Sequence, residues 1–174
     1  KATAAKQGSF TLVCQKIVQE THDVKTFVFA ADNQEKISYI PGQHLPISLT
    51  IDNKAINTCY TLSSSTTRDR HLKITVKRVS GGLVPNYLHD NFKVGSSIKA
   101  RSPAGHFHQK SADTAKVLLL SAGSGITPML SMLKAMTDDV IRGMPANDIV
   151  FFHRYLIRWK PITYIENLQT LMLD

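Results

Sequence analysis

Polar and apolar residues alternate with period two in two stretches of the N-terminal half, Thr26-Phe27-Val28-Phe29 and Leu72-Lys73-Ile74-Thr75-Val76-Lys77. That period puts successive side chains on opposite faces of an extended chain, so both stretches read as half-buried antiparallel strands. Segments of the same character give six predicted strands: Phe10 to Glu20, Lys25 to Ala30, His44 to Ile51, Asn57 to Ser63, His71 to Val79 and Ser97 to Arg101. Turn chemistry separates them at Pro41-Gly42, Asp52-Asn53, Thr67 to Arg70 and Gly81-Gly82, and one short helix is predicted at Pro85 to Asn91. Short strands joined by tight turns predict an all-β antiparallel six-stranded Greek-key barrel.

After Arg101 the period changes. Val117 to Leu120 is an apolar run of the kind that forms a strand buried on both faces, and it leads into Gly123-Ser124-Gly125. A helix is predicted over Thr127 to Met136, with Thr127 placed to cap, Pro128 in the first turn and Leu130, Leu133 and Met136 at helical spacing. A strand at Ile149 to His153 and a helix from about Thr163 follow, the opening of a doubly wound parallel sheet. The expected division is a barrel over residues 1–108 and a partial α/β domain over residues 109–174, the boundary falling in Ser102 to Ala115. A strand, a glycine turn and a helix N-terminus together make an anion site suited to a dinucleotide diphosphate, because free backbone amides and the positive helix end point at one spot. An ordinary strand-to-helix turn would use glycines too, so Gly-x-Gly alone does not decide between them.

Composition narrows the classes. The 174 residues are 43% hydrophobic, enough for one or two small cores, and no apolar run reaches the roughly 18 residues of a membrane helix. The segment Lys1 to Ser9 lacks the apolar stretch of a secretory signal, so a soluble, cytoplasmic protein is expected. Cys14 and Cys59 stand far apart, which encodes neither a disulfide framework nor a cysteine metal cluster. His44, His89, His106 and His108 form no i, i+4 pair on a shared helix and read as surface or packing residues, so no metal is expected. The net charge of +8 suits an anionic ligand or an acidic partner. A basic barrel that binds single-stranded nucleic acid is the remote alternative, but aromatics are 7% of the chain and are not interleaved with arginines.

The motifs of the β half settle the direction. Tyr39-Ile40-Pro41-Gly42-Gln43-His44, Thr58-Cys59-Tyr60-Thr61-Leu62-Ser63-Ser64, Val76-Lys77-Arg78 before Gly81-Gly82-Leu83-Val84, and Pro103-Ala104-Gly105-His106-Phe107 precede Gly123-Ser124-Gly125-Ile126-Thr127-Pro128 in order. In that order and spacing the sequence resembles the ferredoxin reductase-like flavoprotein family, an FAD-binding barrel followed by a nicotinamide-binding domain. Within the family it looks most like the NADH-dependent reductases that feed electrons through a ferredoxin-type centre to a metalloprotein such as hybrid-cluster protein.

The resemblance implies an NAD(P)H-dependent flavoprotein reductase with an iron-sulfur or ferredoxin-type acceptor. It implies that Tyr60 lies against the flavin and Thr61 offers its hydroxyl to the hydride-accepting nitrogen, with Thr58 and Cys59 beside them. Val76, Lys77, Arg78, Gly81, Gly82, Leu83 and Val84 would line the rest of the flavin site. Gly123, Ser124, Gly125, Thr127 and Pro128 would hold the nicotinamide dinucleotide. Two positions depart from the family pattern: Thr58 stands where it has arginine, and Pro85 where it has serine or threonine. Both lost groups would contact the flavin diphosphate, which predicts weakened, substoichiometric FAD binding; a reductase-like domain that only docks a redox partner is the alternative. Family members continue for several strands and end in a cysteine-containing segment, so the nicotinamide half is expected to be partial.

Overall fold

A computed structural model describes residues 8–66, 71–108, 116–141, 148–157 and 160–164. Six strands, β1 (Ser9–Thr21), β2 (Val24–Ala31), β3 (His44–Ile51), β4 (Lys54–Thr61), β5 (Leu72–Lys77) and β6 (Ser97–Arg101), form one antiparallel sheet in the order β4-β3-β6-β1-β2-β5. The sheet closes on itself where Leu62 bridges Ile74 and the Ser63 amide donates to the Lys73 carbonyl, at 2.9 Å. The predicted six-stranded barrel is therefore present. Register shifts at Cys14/Lys16 and Gln19/Thr21 bend β1, so that Ser9 to Val13 pair with β6 while Leu12 to Thr21 follow β2.

Side chains that alternate inward fill the barrel: Leu12, Phe27, Phe29, Leu45, Leu62 and Ile74 are fully buried. The helix α1 (Leu83–Asn91) plugs one end with Leu88, and the following Phe92 meets Phe27 and Phe29 edge-on, at 5.9 Å in each case. β4 begins earlier than predicted, at Lys54, because Asp52 and Asn53 both take positive φ and make a two-residue hairpin that pairs Ile51 with Lys54 at once. β2 also departs from expectation. Its outward-facing Thr26 and Val28 are only 7% and 9% exposed, because the outer face of the barrel here is one wall of a cleft.

The second unit runs β7 (Lys116–Ala122), a 3-10 turn at Gly123–Gly125, α2 (Ile126–Ile141), β8 (Asp148–Ile157) and β9 (Lys160–Tyr164). β7 and β8 are parallel, and Leu119 packs with Met129 and Leu133 of α2. Thr163 and Tyr164 do not open a helix as predicted. They belong to β9, which returns antiparallel on β8 with His153 opposite Tyr164 and Arg154 opposite Thr163. The β-branched and aromatic run Ile162-Thr163-Tyr164 suits a strand once a partner edge exists. Residues after 164, the predicted turn at 67–70 and the 109–115 part of the predicted boundary lie outside the described residues.

Three consecutive serines join the units. Ser131 donates to the Ser64 carbonyl at 2.9 Å, Lys134 to the Ser63 carbonyl at 3.4 Å, and Ser65 to the Asp138 carboxylate. Residues 131, 134 and 138 share one face of α2, so the helix lies along the Ser63-Ser64-Ser65 segment. These serines are buried, which is tolerable because each has a partner.

The face of the parallel pair away from α2 is open among the described residues: Leu118, Leu120 and Val150 are 61%, 58% and 60% exposed. Parallel strands are ordinarily covered on both faces, and uncovered apolar strands open at low cost. Amides of β7 and β8 are therefore expected to exchange with solvent at least about tenfold faster than those of β2 and β5, measured residue by residue; equal protection would overturn this.

Candidate functional site

The β4 motif is arranged by the pleat. Pairing with β3 sets Leu45 opposite Tyr60 and Ile47 opposite Thr58, whereas His44 is opposite Thr61 and Pro46 opposite Cys59. Tyr60 and Thr58 thus share the face of Leu45 and Ile47, while Thr61 and the exposed thiol of Cys59 lie on the other. Tyr60 is half-buried against the barrel core, and that burial pushes its hydroxyl up to about 12. It is a neutral phenol at any ordinary pH, fit to pack against a ring and unfit to act as a base.

At the other edge strand, Val76 is buried and its carbonyl lies 2.9 Å from His89 Nε2. Lys77 reaches Asp23 at 3.3 Å, and Arg78 makes a forked contact with Asp90 at 3.0 and 2.6 Å. The shared hydrogen bonds raise the guanidinium pKa and lower that of Asp90. The two cations offered by the sequence for a phosphate are thus held by carboxylates, although exposed pairs of this kind contribute little and exchange readily for another anion.

Gly81 takes a φ of 71°, and the Gly82 amide donates to the Val79 carbonyl at 2.9 Å, which leads the chain into α1. The amides of Leu83 and Val84, in the first turn, have no intrahelical acceptor, and Pro85 has no amide hydrogen. No acidic side chain lies in that turn. Asn86 donates to the Val79 carbonyl at 2.9 Å, while its buried Oδ1 has no donor among the described residues. Two amides for an anion and one acceptor for a sugar hydroxyl or amino group fit the diphosphate and sugar of a flavin dinucleotide, with fewer contacts than arginine and serine would give.

The glycine turn of the second unit leads straight from a strand into a helix. Gly123 has a φ of 52°, and the 3-10 turn feeds directly into α2. Thr127 does not cap the helix as predicted: its hydroxyl donates back to the Ser124 carbonyl at 3.1 Å, because α2 already starts at Ile126. Pro128 sits in the first turn, where its missing amide hydrogen costs nothing.

Between this turn and the outer face of β2 and β5 lies a cavity of about 730 Å³, within the usual range for a small-molecule site. It brings Gly123, Ser124 and Thr127 together with Lys77, which the resemblance had assigned to different ligands. Its lining includes residues that sequence reasoning missed, chiefly Ser63, Lys73, Thr75, Lys134 and His153. Among the described residues the lining carries Lys16, Lys73, Lys77 and Lys134 and one carboxylate, Glu20, with Asp23 paired to Lys77, so the lining is basic on balance. The signal for Lys73 and Thr75 was present in the alternation of β5, whose outward positions are all polar. Tyr60, Thr61, Gly81 and Gly82 lie outside this lining.

Known proteins bear on this arrangement. The chain is 42% identical over 147 residues to a glycine betaine monooxygenase reductase subunit of Pseudomonas aeruginosa, covering 84% of this chain and 39% of that protein. It is 41% identical over 130 residues to a 3-ketosteroid-9-alpha-monooxygenase, ferredoxin reductase component, of Rhodococcus rhodochrous, covering 73% of this chain and 37% of that one. The chain thus spans less than two-fifths of the length of these curated relatives. Among solved structures, the flavohem-like FAD/NAD binding domain of nitric oxide dioxygenase from Vibrio cholerae superposes with a TM-score of 0.77 at 28% identity, over 96% of this chain and 70% of that one. The two curated relatives are named as reductase components of monooxygenases and not of hybrid-cluster protein. With the barrel, the amides at the start of α1 and these likenesses in hand, the match of the oxidoreductase FAD-binding domain family to residues 10–109 is decisive, and the chain belongs to that family.

Proposed function

We propose that this chain is the FAD-binding barrel, residues 1–108, and the opening of the nicotinamide domain, residues 109–174, of a reductase that passes electrons from NAD(P)H through FAD to an iron-sulfur or other redox acceptor. The observation that carries the reading is the basic cleft between the outer face of β2 and β5 and the Gly123–Gly125 turn, a shape and charge suited to a dinucleotide lying between barrel and helix. When bound, the flavin supplies the exchange of a two-electron hydride for single electrons.

The protein's part is to hold and orient. The amides of Leu83 and Val84 would hold the flavin diphosphate, Tyr60 would pack against the ring system, and Thr61 would offer its hydroxyl from the opposite face of β4. Gly123, Ser124, Gly125 and Thr127 would hold the nicotinamide dinucleotide through backbone amides and the helix end, with Pro128 fixing the turn. The buried Thr26 and Val28 help to keep water from the floor of the cleft. A net charge of +8 favours an acidic acceptor, steered from a distance. Two cysteines left free suit the cytoplasm, and no helix among the described residues is long and apolar enough to cross a membrane.

The test is the visible spectrum of the purified protein with added FAD, before and after NADH: a flavin band that NADH bleaches supports the reading, and a protein that takes up no flavin overturns it. Tyr60→Ala is expected to lower flavin occupancy or release fluorescence quenching without unfolding the barrel. Unchanged occupancy and quenching in the folded variant would remove Tyr60 from the site.

A further inference from the structure

One buried imidazole has no part in the reading above. His89, in the last turn of α1, is 5% exposed, and its Nε2 donates to the Val76 carbonyl at 2.9 Å. A carbonyl can only accept, which places the proton on that nitrogen. The ring meets Phe27 edge-on with centroids 6.3 Å apart, and the His89 backbone carbonyl accepts from Lys25 Nζ at 2.9 Å. Leu88 beside it is fully buried. The last turn of the helix is thus tied to β5, to β2 and to the barrel core.

Val76 and His89 are 13 residues apart, and the chain between them carries Lys77, Arg78, Gly81, Gly82, Leu83 and Val84, the polar half of the proposed flavin site. The bond closes that loop at its base. A second tie, from Arg78 to Asp90, runs alongside it, but that pair is exposed, and a phosphate drawing Arg78 toward itself would loosen it. The bond at His89 is buried and escapes such competition. α1 has nine residues and is about 13 Å long, so fixing its last turn against β5 also fixes where its first-turn amides lie. An apolar side chain could fill the space beside Phe27 without the cost of burying a polar ring; the imidazole adds a directed bond to the strand that leads into the loop.

We propose that His89 is a positioning residue of the flavin site: its bond to Val76 staples the last turn of α1 to the end of β5 and so holds the Leu83 and Val84 amides in place for the diphosphate. The inference rests on the reading of the start of α1 as the diphosphate site. His89 touches no ligand in this account and acts through the helix.

The experiment is fluorescence titration of the whole flavin-free chain with FAD and with riboflavin, which keeps the ring system but lacks the diphosphate, at a temperature where parent and variants are folded. His89→Phe keeps a ring beside Phe27 and loses the bond; it is expected to weaken FAD binding about three- to tenfold, the worth of one hydrogen bond, and riboflavin binding less than about twofold. His89→Gln, whose side-chain amide can reach the same carbonyl, is expected to recover most of the FAD affinity. A second measurement needs no ligand: the amide resonances of Leu83 and Val84 in the flavin-free protein are expected to move in His89→Phe and to return toward the parent positions in His89→Gln. This measurement decides the matter where riboflavin binds too weakly to compare. Unmoved resonances, unchanged FAD affinity in folded His89→Phe, an equal loss for FAD and riboflavin, or a glutamine variant no better than phenylalanine would overturn the inference and leave the function standing. Absence of FAD binding to the parent would overturn both.

Discussion

Replacing Thr58 by arginine and Pro85 by serine together is expected to raise FAD affinity at least about tenfold, and toward a hundredfold if both new contacts form fully. A charge-assisted hydrogen bond contributes roughly 1.5 to 3 kcal/mol, and each 1.4 kcal/mol is tenfold. Thr58 shares its face of β4 with Tyr60, so a longer cationic side chain there extends from the strand that carries the proposed ring contact. The serine does two things. It adds a hydroxyl, and it restores a backbone N–H at the third residue of α1, next to the unpaired amides of Leu83 and Val84. Lys77 and Arg78 compensate only in part, since each is engaged with a carboxylate in the free protein. Titration of flavin-free parent and double variant with FAD, followed by flavin fluorescence, decides the matter. A parent purified with tightly bound stoichiometric flavin, or a variant with no gain, would show that the diphosphate is held elsewhere.

The other large effect is expected at Gly42. Its φ of 98° is unfavourable for any residue with a Cβ, and a Cβ built there would lie 2.3 Å from the Phe107 carbonyl oxygen and 2.4 Å from Met132 Cε. Met132 can turn away, but the backbone oxygen of Phe107 cannot move without shifting its segment. Gly42→Ala is therefore expected to cost about 3 kcal/mol or more, lowering the thermal midpoint by roughly 6 to 12 °C. Gly95 supplies the control. It has a comparable φ of 89° with nothing within 4 Å of the built Cβ, so Gly95→Ala carries the backbone strain alone and is expected to cost about 1 kcal/mol. Equal destabilisation by the two substitutions would show that Gly42 is kept for its backbone angle and not for the closeness of α2 and the Phe107 segment.

Much of the barrel could be read without a structure because its strands obey a local rule. Alternation in Leu72 to Lys77 orients β5, and Asp52-Asn53 marks a two-residue hairpin whose register follows from its length. The apolar run, Gly-x-Gly and Pro128 likewise announced the β7 to α2 transition within a few residues. These signals concern near neighbours in sequence, and near neighbours are what a chain specifies by itself.

The tertiary structure decided what depends on distant partners. Ser63-Ser64-Ser65 reads as a loop in isolation; the segment is buried because α2 brings Ser131, Lys134 and Asp138 to it. Thr26 and Val28 look like the solvent face of a strand, yet they are covered because the second unit stands opposite them. Thr163 and Tyr164 joined a strand because β8 offered a free edge, which no local periodicity records. Ser121 and His153 are 32 residues apart and met only when two parallel strands came into register. The sequence by itself therefore determined the barrel, its turns and the glycine-to-helix transition, since pleat, turn and cap are short-range effects. The walls of the cleft and the partners of its polar groups were fixed only on packing, because hydrogen bonds and burial between remote segments follow from topology and not from any local pattern.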